Sequence, residues 1–114
     1  MVDFWPELHK DPYAFKRLKT SVKLLEAQEG DTVLDLGCHQ KEALHFLPDK
    51  INYKGFDYLL GNDFDSESFL LPTAERILCL ETLEHLKFPG RLLKKIANAL
   101  SPEGRAVISL PNEA

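Results

Sequence analysis

Asp31-Thr32-Val33-Leu34-Asp35-Leu36-Gly37-Cys38 is the stretch that decides the fold. Val33, Leu34 and Leu36 form the short apolar run of a strand covered on both faces. Asp35 interrupts that run, and a buried carboxylate is costly unless something pairs with it. Gly37 then lets the backbone turn tightly and lets a ligand come close. A strand, an acid and a glycine turn opening a helix make the general recipe for a nucleotide-type cofactor site at the carboxyl end of a parallel sheet.

Upstream, Asp11-Pro12 reads as a helix start, with an acidic N-cap and proline at the first helical position. Ala14, Leu18, Val22 and Leu25 then recur at helical spacing, and Gly30 is expected to end the helix as a C-cap. Before it lies an irregular arm carrying Phe4, Trp5 and Pro6. Downstream, Lys41 to Leu47 reads as a short helix stopped by Pro48, and Asn52 to Phe56 as a second strand ending in Asp57. A brief strand is expected within 59–64, followed by loop, with hardly room for a crossover helix. Arg76 to Leu80 is a buried strand, Pro89 to Leu100 a helix, Ser101 to Gly104 a turn and Ala106 to Leu110 the last strand.

The 114 residues suit one domain with one core. A net charge of −4 argues against a nucleic-acid surface. No apolar run reaches the roughly 18 residues of a membrane span, and the N-terminus lacks a secretory pattern. Cys38 and Cys79 belong to no paired motif and read as buried free thiols in a reducing cytoplasm.

Strands alternating with helices imply an α/β sandwich with a mostly parallel sheet. Right-handed crossovers place the carboxyl ends of all strands on one edge. Asp35, Asp57, Asp63 and Glu81 each end, or nearly end, an expected strand, so four acids converge on that rim.

These segments carry a family resemblance. Val33 to Cys38, Gly55-Phe56-Asp57, Glu81-Thr82-Leu83-Glu84-His85-Leu86, Ala99 to Gly104 and Val107 to Asn112 resemble, in order, the motifs of class I S-adenosylmethionine-dependent methyltransferases. Within that superfamily the chain is most similar to the small-molecule O-methyltransferase type with Leu-Glu-His after the fourth strand. The resemblance implies one Rossmann-like domain: an arm at 1–11, then a three-layer core over 12–114 with about five strands in order 3-2-1-4-5. The family's last two strands are expected to be missing, as in a fragment of a longer protein. It also implies roles. Asp35, Gly37 and Cys38 would hold the methionine part of S-adenosylmethionine or S-adenosylhomocysteine. Asp57 would accept the ribose hydroxyls, Asp63 would lie near the adenine amine, and Glu81 near the reacting centre. Where the family usually continues with glycine, this chain has His39, expected to face solvent, and Lys41, expected in the first turn of the next helix.

Glu81, Glu84 and His85 stand at i, i+3 and i+4. If the segment turns helically they share a face, and two carboxylates with an imidazole suit a divalent cation. The same spacing resembles metal-using O-methyltransferases of ubiquinone biosynthesis and of small RNA. Alternatively, Glu84 and His85 merely begin a helix, or His85 acts as general base. The expected activity is methyl transfer to an oxygen of a small-molecule acceptor, with His85 and Glu84 as catalytic residues. The alternative is a degenerate domain serving cofactor binding or self-association through the exposed strand 105–110. A nicotinamide-binding domain fits poorly, because an acid stands where its first glycine belongs.

Overall fold

The computed structural model of this chain describes residues 11–111. The aromatic arm with Phe4 and Trp5 lies outside the described residues. Helix α1 spans Pro12–Leu25, strand β1 Thr32–Leu36, β2 Asn52–Phe56, β3 Ala74–Leu80, helix α2 Pro89–Ala99 and β4 Leu100–Ser109. Short 3₁₀ turns lie at Glu42–Phe46, Tyr58–Leu60 and Leu83–His85. The strands form one parallel sheet in the order β2-β1-β3-β4. The chain is thus an α/β Rossmann-like sandwich with four strands among the described residues.

The sheet has apolar layers on both faces. Val33 and Leu78 pack with Val22, Leu25 and Ala43 on the α1 side. Leu34, Leu36, Ile77 and Cys79 pack with Leu92, Ile96 and Phe64 on the α2 side. Alternation along β1 sends its apolar residues to opposite layers, so one five-residue strand seeds both. No helix among the described residues is long and apolar enough to cross a membrane.

Helix α1 begins as its sequence requires, with Asp11 Oδ1 accepting from the amides of Tyr13 and Ala14 at 3.1 Å. Its end falls earlier than Gly30. Glu26 takes the left-handed conformation (φ 53°) and its N–H bonds Lys23 O at 3.1 Å. Two arginines from the sheet close that terminus. Arg76 Nε donates to Glu26 O (3.3 Å) and Arg105 Nη1 to Leu24 O (3.1 Å). Guanidinium groups on orphan carbonyls at the negative end of the helix dipole make a C-cap that local sequence does not reveal.

The strand expected within 59–64 does not form. Asp57 Oδ1 accepts from the Leu59 amide (2.9 Å), and Asp57 O from the Leu60 amide (2.9 Å), which winds 58–60 into a 3₁₀ turn. Gly61 ends it at φ 86°. The expected 101–104 turn is instead looped out inside β4, where Ala74 pairs with Leu100 but Arg76 with Arg105. Gly104 closes this irregularity; a Cβ there would stand 2.9 Å from Ser101 O.

No helix covers the β2–β3 crossover. The loop is fastened to the start of α2, a helix whose N-cap residue Phe88 offers no side-chain oxygen. Asp65 accepts from the amides of Lys87 (3.0 Å) and Phe88 (2.8 Å), and Arg91 Nη1 donates to Asp65 O at 3.0 Å. The two backbone hydrogen bonds hold the Asp65 carboxyl below its ordinary range. A group depressed in the folded state stabilises above its unfolded value and loses that contribution as pH falls through the folded one. Asp65→Ala is therefore expected to lower the thermal midpoint at neutral pH. The gap to wild type should narrow progressively as pH falls below about 4. An equal gap at both pH values in scanning calorimetry would reject the capping role.

Candidate functional site

The carboxyl ends of β1, β2 and β3 open onto a cleft of about 650 Å³, walled on one side by Ala14, Arg17, Leu18 and Ser21 of α1. That volume lies within the range of small-molecule sites. Of the residues singled out from sequence, Asp35, Gly37, Cys38, Asp57, Asp63, Glu81 and His85 line the cleft. Glu84 is exposed and is not among the lining residues.

The first-strand turn is built around the absence of a side chain. Gly37 sits at φ 82°, and a Cβ there would come within 2.0 Å of Thr82 Oγ1. Thr82, buried, directs that hydroxyl at Leu36 O and Leu80 O, both at 3.1 Å. Across the turn, Phe56 O accepts from the amides of Gly37 (2.7 Å) and Cys38 (3.0 Å). His39 and Lys41 keep the left-handed backbone that glycine usually supplies, at φ 50° and 62°. His39 is exposed, as expected, whereas Lys41 precedes the 3₁₀ turn rather than starting it. Two side chains make the conformation affordable. The His39 amide donates to Asp57 Oδ2 (2.7 Å), and Glu42 Oε1 meets the Gln40 amide (2.8 Å) and His39 Nδ1 (3.2 Å).

Asp57 is thus a structural hub as well as a rim acid. One carboxylate oxygen holds the His39 amide and the other the Leu59 amide. Asn62 returns the support, with Oδ1 accepting from the Asp57 amide at 2.9 Å. Each carboxylate oxygen has two acceptor positions, so each keeps one after these bonds. Asp63 accepts from the Asp65 amide at 3.0 Å.

Asp35 is 4% exposed and lies in register with Gly55 on β2 and Leu78 on β3. Burial pushes its carboxyl up to about 6; a hydrogen bond from Tyr53 opposes the rise, and repulsion from Glu42 and Asp57 adds to it. A raised folded-state value gives stability that is full below the unfolded value and is lost as pH rises through about 6. Asp35→Asn removes that loss. At about pH 8 it is expected to be more stable than wild type by on the order of 3 kcal/mol, and by only on the order of 1 kcal/mol at about pH 4.5. Urea unfolding at the two pH values measures the difference; a constant one would contradict it.

The thiols are free and buried, as expected. Burial with the nearby Asp35 and Asp57 charges pushes Cys38 up to about 11, and burial pushes Cys79 to about 12. Neither is poised as a thiolate nucleophile.

The proposed Glu81, Glu84 and His85 cation site is not assembled. Among the described residues no group of three His, Cys, Asp or Glu side chains could hold a metal ion. The shared helical face does not exist, because only 83–85 turn, as a single 3₁₀ turn. The Glu81 amide remains tied to the sheet by Ser109 O (3.0 Å) and Ser109 Oγ (3.1 Å), its backbone is left-handed (φ 51°), and its carboxylate pairs with Arg17 Nη1 at 3.2 Å. Sequence reasoning missed Arg17, Tyr53 and Thr82. Tyr53 left a trace, as it shares a strand face with Gly55, and Thr82 stands inside the 81–86 motif with no role assigned to it.

A family model described as a methyltransferase domain matches residues 9–114, and the chain belongs to that methyltransferase-domain family. No curated protein sequence matches it. The NodS N-methyltransferase from Bradyrhizobium japonicum WM9, in complex with S-adenosyl-L-homocysteine, is 15% identical with a TM-score of 0.65, over 95% of this chain and 66% of that one. Coclaurine N-methyltransferase, bound to N-methylheliamine and SAH, is 23% identical with a TM-score of 0.63, over 82% of this chain and 34% of that one. The plantazolicin methyltransferase BpumL, in complex with SAH, is 17% identical with a TM-score of 0.65, over 89% and 49%. These likenesses concern the fold, and the chain spans about one third to two thirds of the solved proteins' lengths.

Proposed function

We propose that this domain binds S-adenosylmethionine and directs its methyl group to an oxygen of a small molecule. The observation that carries the reading is the convergence of Asp35, Asp57, Asp63 and Glu81 on one cleft at the carboxyl ends of parallel strands. The donor set fits the cofactor. Asp57 retains two acceptor positions, which suits a vicinal ribose diol. Gly37 offers bare backbone and Asp35 a carboxylate for the methionine end, while Asp63 lies on the cleft wall for the adenine amine. Three of the similar folds were crystallised with SAH, which supports the same ligand here.

The bound cofactor supplies an electrophilic methyl group on a sulfonium. The chain's own contribution is placement: α1 and the rim hold an acceptor in line with that methyl, and orientation of this kind supplies much of the acceleration. His85, on the cleft wall, takes the hydroxyl proton. The choice of oxygen rests on the resemblance of Leu83-Glu84-His85. Two of the similar proteins are N-methyltransferases, so an amine is the competing acceptor.

Calorimetry with S-adenosylhomocysteine tests the cofactor, and no heat at millimolar ligand overturns it. Incubation with a methyl-labelled donor and matched phenol and amine acceptors then tests the atom. Label on nitrogen alone overturns the oxygen assignment.

Among the described residues β4 is an edge strand that exposes Ile108, with Leu110 exposed just past its end, and we infer that a second copy pairs there. Ile108→Lys should convert a dimer to a monomer on size exclusion; a wild-type monomer refutes the pairing.

A further inference from the structure

Tyr53 stands two residues before Gly55 on β2, so both face the same side of the sheet. Tyr53 lies opposite Val33, and Gly55 opposite Asp35. The ring therefore crosses diagonally over Gly55, and its hydroxyl donates to Asp35 Oδ2 at 2.6 Å. Gly55 permits the crossing: a Cβ there would stand 3.3 Å from Tyr53 Cε1 and 2.8 Å from Cys38 Sγ. The acceptor is a carboxylate nine-tenths and more buried, where a charge-assisted hydrogen bond counts most. Asp35 lines the cleft, whereas Tyr53 is not among the lining residues.

We propose that Tyr53 is a positioning residue: by engaging Oδ2 it holds Asp35 as an ionised acceptor, leaves Oδ1 for an ammonium group in the cleft, and sets the pH at which that group binds. The ammonium is the one on the methionine end of the cofactor, so this part rests on the function proposed above. The groups facing Asp35 are Tyr53 from β2, Asp57 just after β2, Glu42 from the 3₁₀ turn, Cys38 from the glycine turn and Cys79 from β3. Arg17 of α1 shares the cleft but is paired with Glu81. Among these groups, Tyr53 supplies a neutral donor that favours the charged form, and burial with two nearby acids opposes it.

Tyr53→Phe keeps the ring and deletes the donor. In protein labelled with carbon-13 at aspartate carboxyls, the Asp35 resonance should titrate near 6 in wild type and about one pH unit higher in the variant. Equal midpoints overturn the proposal without reference to any ligand. Calorimetry with S-adenosylhomocysteine from about pH 5 to about pH 8.5 supplies the second reading. The acid-side loss of affinity should move up with the carboxyl, leaving the variant roughly threefold weaker near pH 6.5, approaching roughly tenfold weaker near pH 5, and close to wild type at the alkaline end. A loss of the same size at every pH marks a merely structural role and overturns the pH-setting claim. Absence of binding by wild type at any pH overturns the cofactor reading and the ammonium with it, while the carboxyl titration still decides whether Tyr53 governs Asp35.

Discussion

Gly37→Ala is expected to cost the domain about 2–5 kcal/mol, the sum of left-handed backbone strain and overpacking. The backbone at φ 82° penalises any L side chain, and the new methyl group would be driven to 2.0 Å from Thr82 Oγ1. Thr82 cannot simply swing aside, because its hydroxyl serves the carbonyls of Leu36 and Leu80 at the ends of β1 and β3. Moving it leaves buried carbonyls without their donor. Against the 5–15 kcal/mol that small domains possess, a loss of that size leaves a large unfolded fraction at physiological temperature. The double variant Gly37→Ala, Thr82→Ala separates the two causes. It relieves the overlap and leaves the backbone strain, so the two changes should couple favourably by about 1–2 kcal/mol in urea unfolding. Strict additivity would show that the methyl group finds room elsewhere.

Asp57→Asn should have the largest effect on the ligand for the smallest change in shape. The carboxylate accepts two backbone amides, His39 at one oxygen and Leu59 at the other. An asparagine amide offers one oxygen, and its NH₂ group must then face one of those N–H donors. Leaving such a donor unsatisfied costs about 1–3 kcal/mol. The left-handed turn at His39 and the 58–60 turn then compete for the remaining oxygen. Because these turns shape the cleft, affinity for S-adenosylhomocysteine should fall at least tenfold even where the fold survives, a difference of about 1.4 kcal/mol. Circular dichroism checks the fold and calorimetry the affinity. Undiminished affinity would remove Asp57 from the ligand.

Much of this was legible because it is local. The spacing of apolar residues placed β1 and β2, and the acids that end strands marked the rim on which Asp35, Asp57 and Glu81 stand. What escaped is decided at long range. The end of α1 depends on Arg76 and Arg105, some fifty and eighty residues away in sequence. The 59–64 segment alternates weakly, and Asp57 spends both its side chain and its carbonyl on winding that segment's start. The cation reading assumed that helical turning reaches back to Glu81, but β4 claims the Glu81 amide through Ser109. The Tyr53 hydroxyl on Asp35 needs the register of β2 on β1, which no spacing within either strand supplies.

The strand order has a consequence for how the protein is made. β1 lies between β2 and β3, and both follow it in the chain. During synthesis this strand, which seeds both apolar layers, leaves the ribosome before either neighbour exists. β2 closes one edge about twenty residues later, but the other waits for β3, whose Arg76 pairs with Val33. At about 5–20 residues per second, that edge stays open for a few seconds. Codon usage that slows translation between Leu36 and Leu80 lengthens the interval, and it should lower the soluble yield of this domain more than an equal delay placed after Ser109.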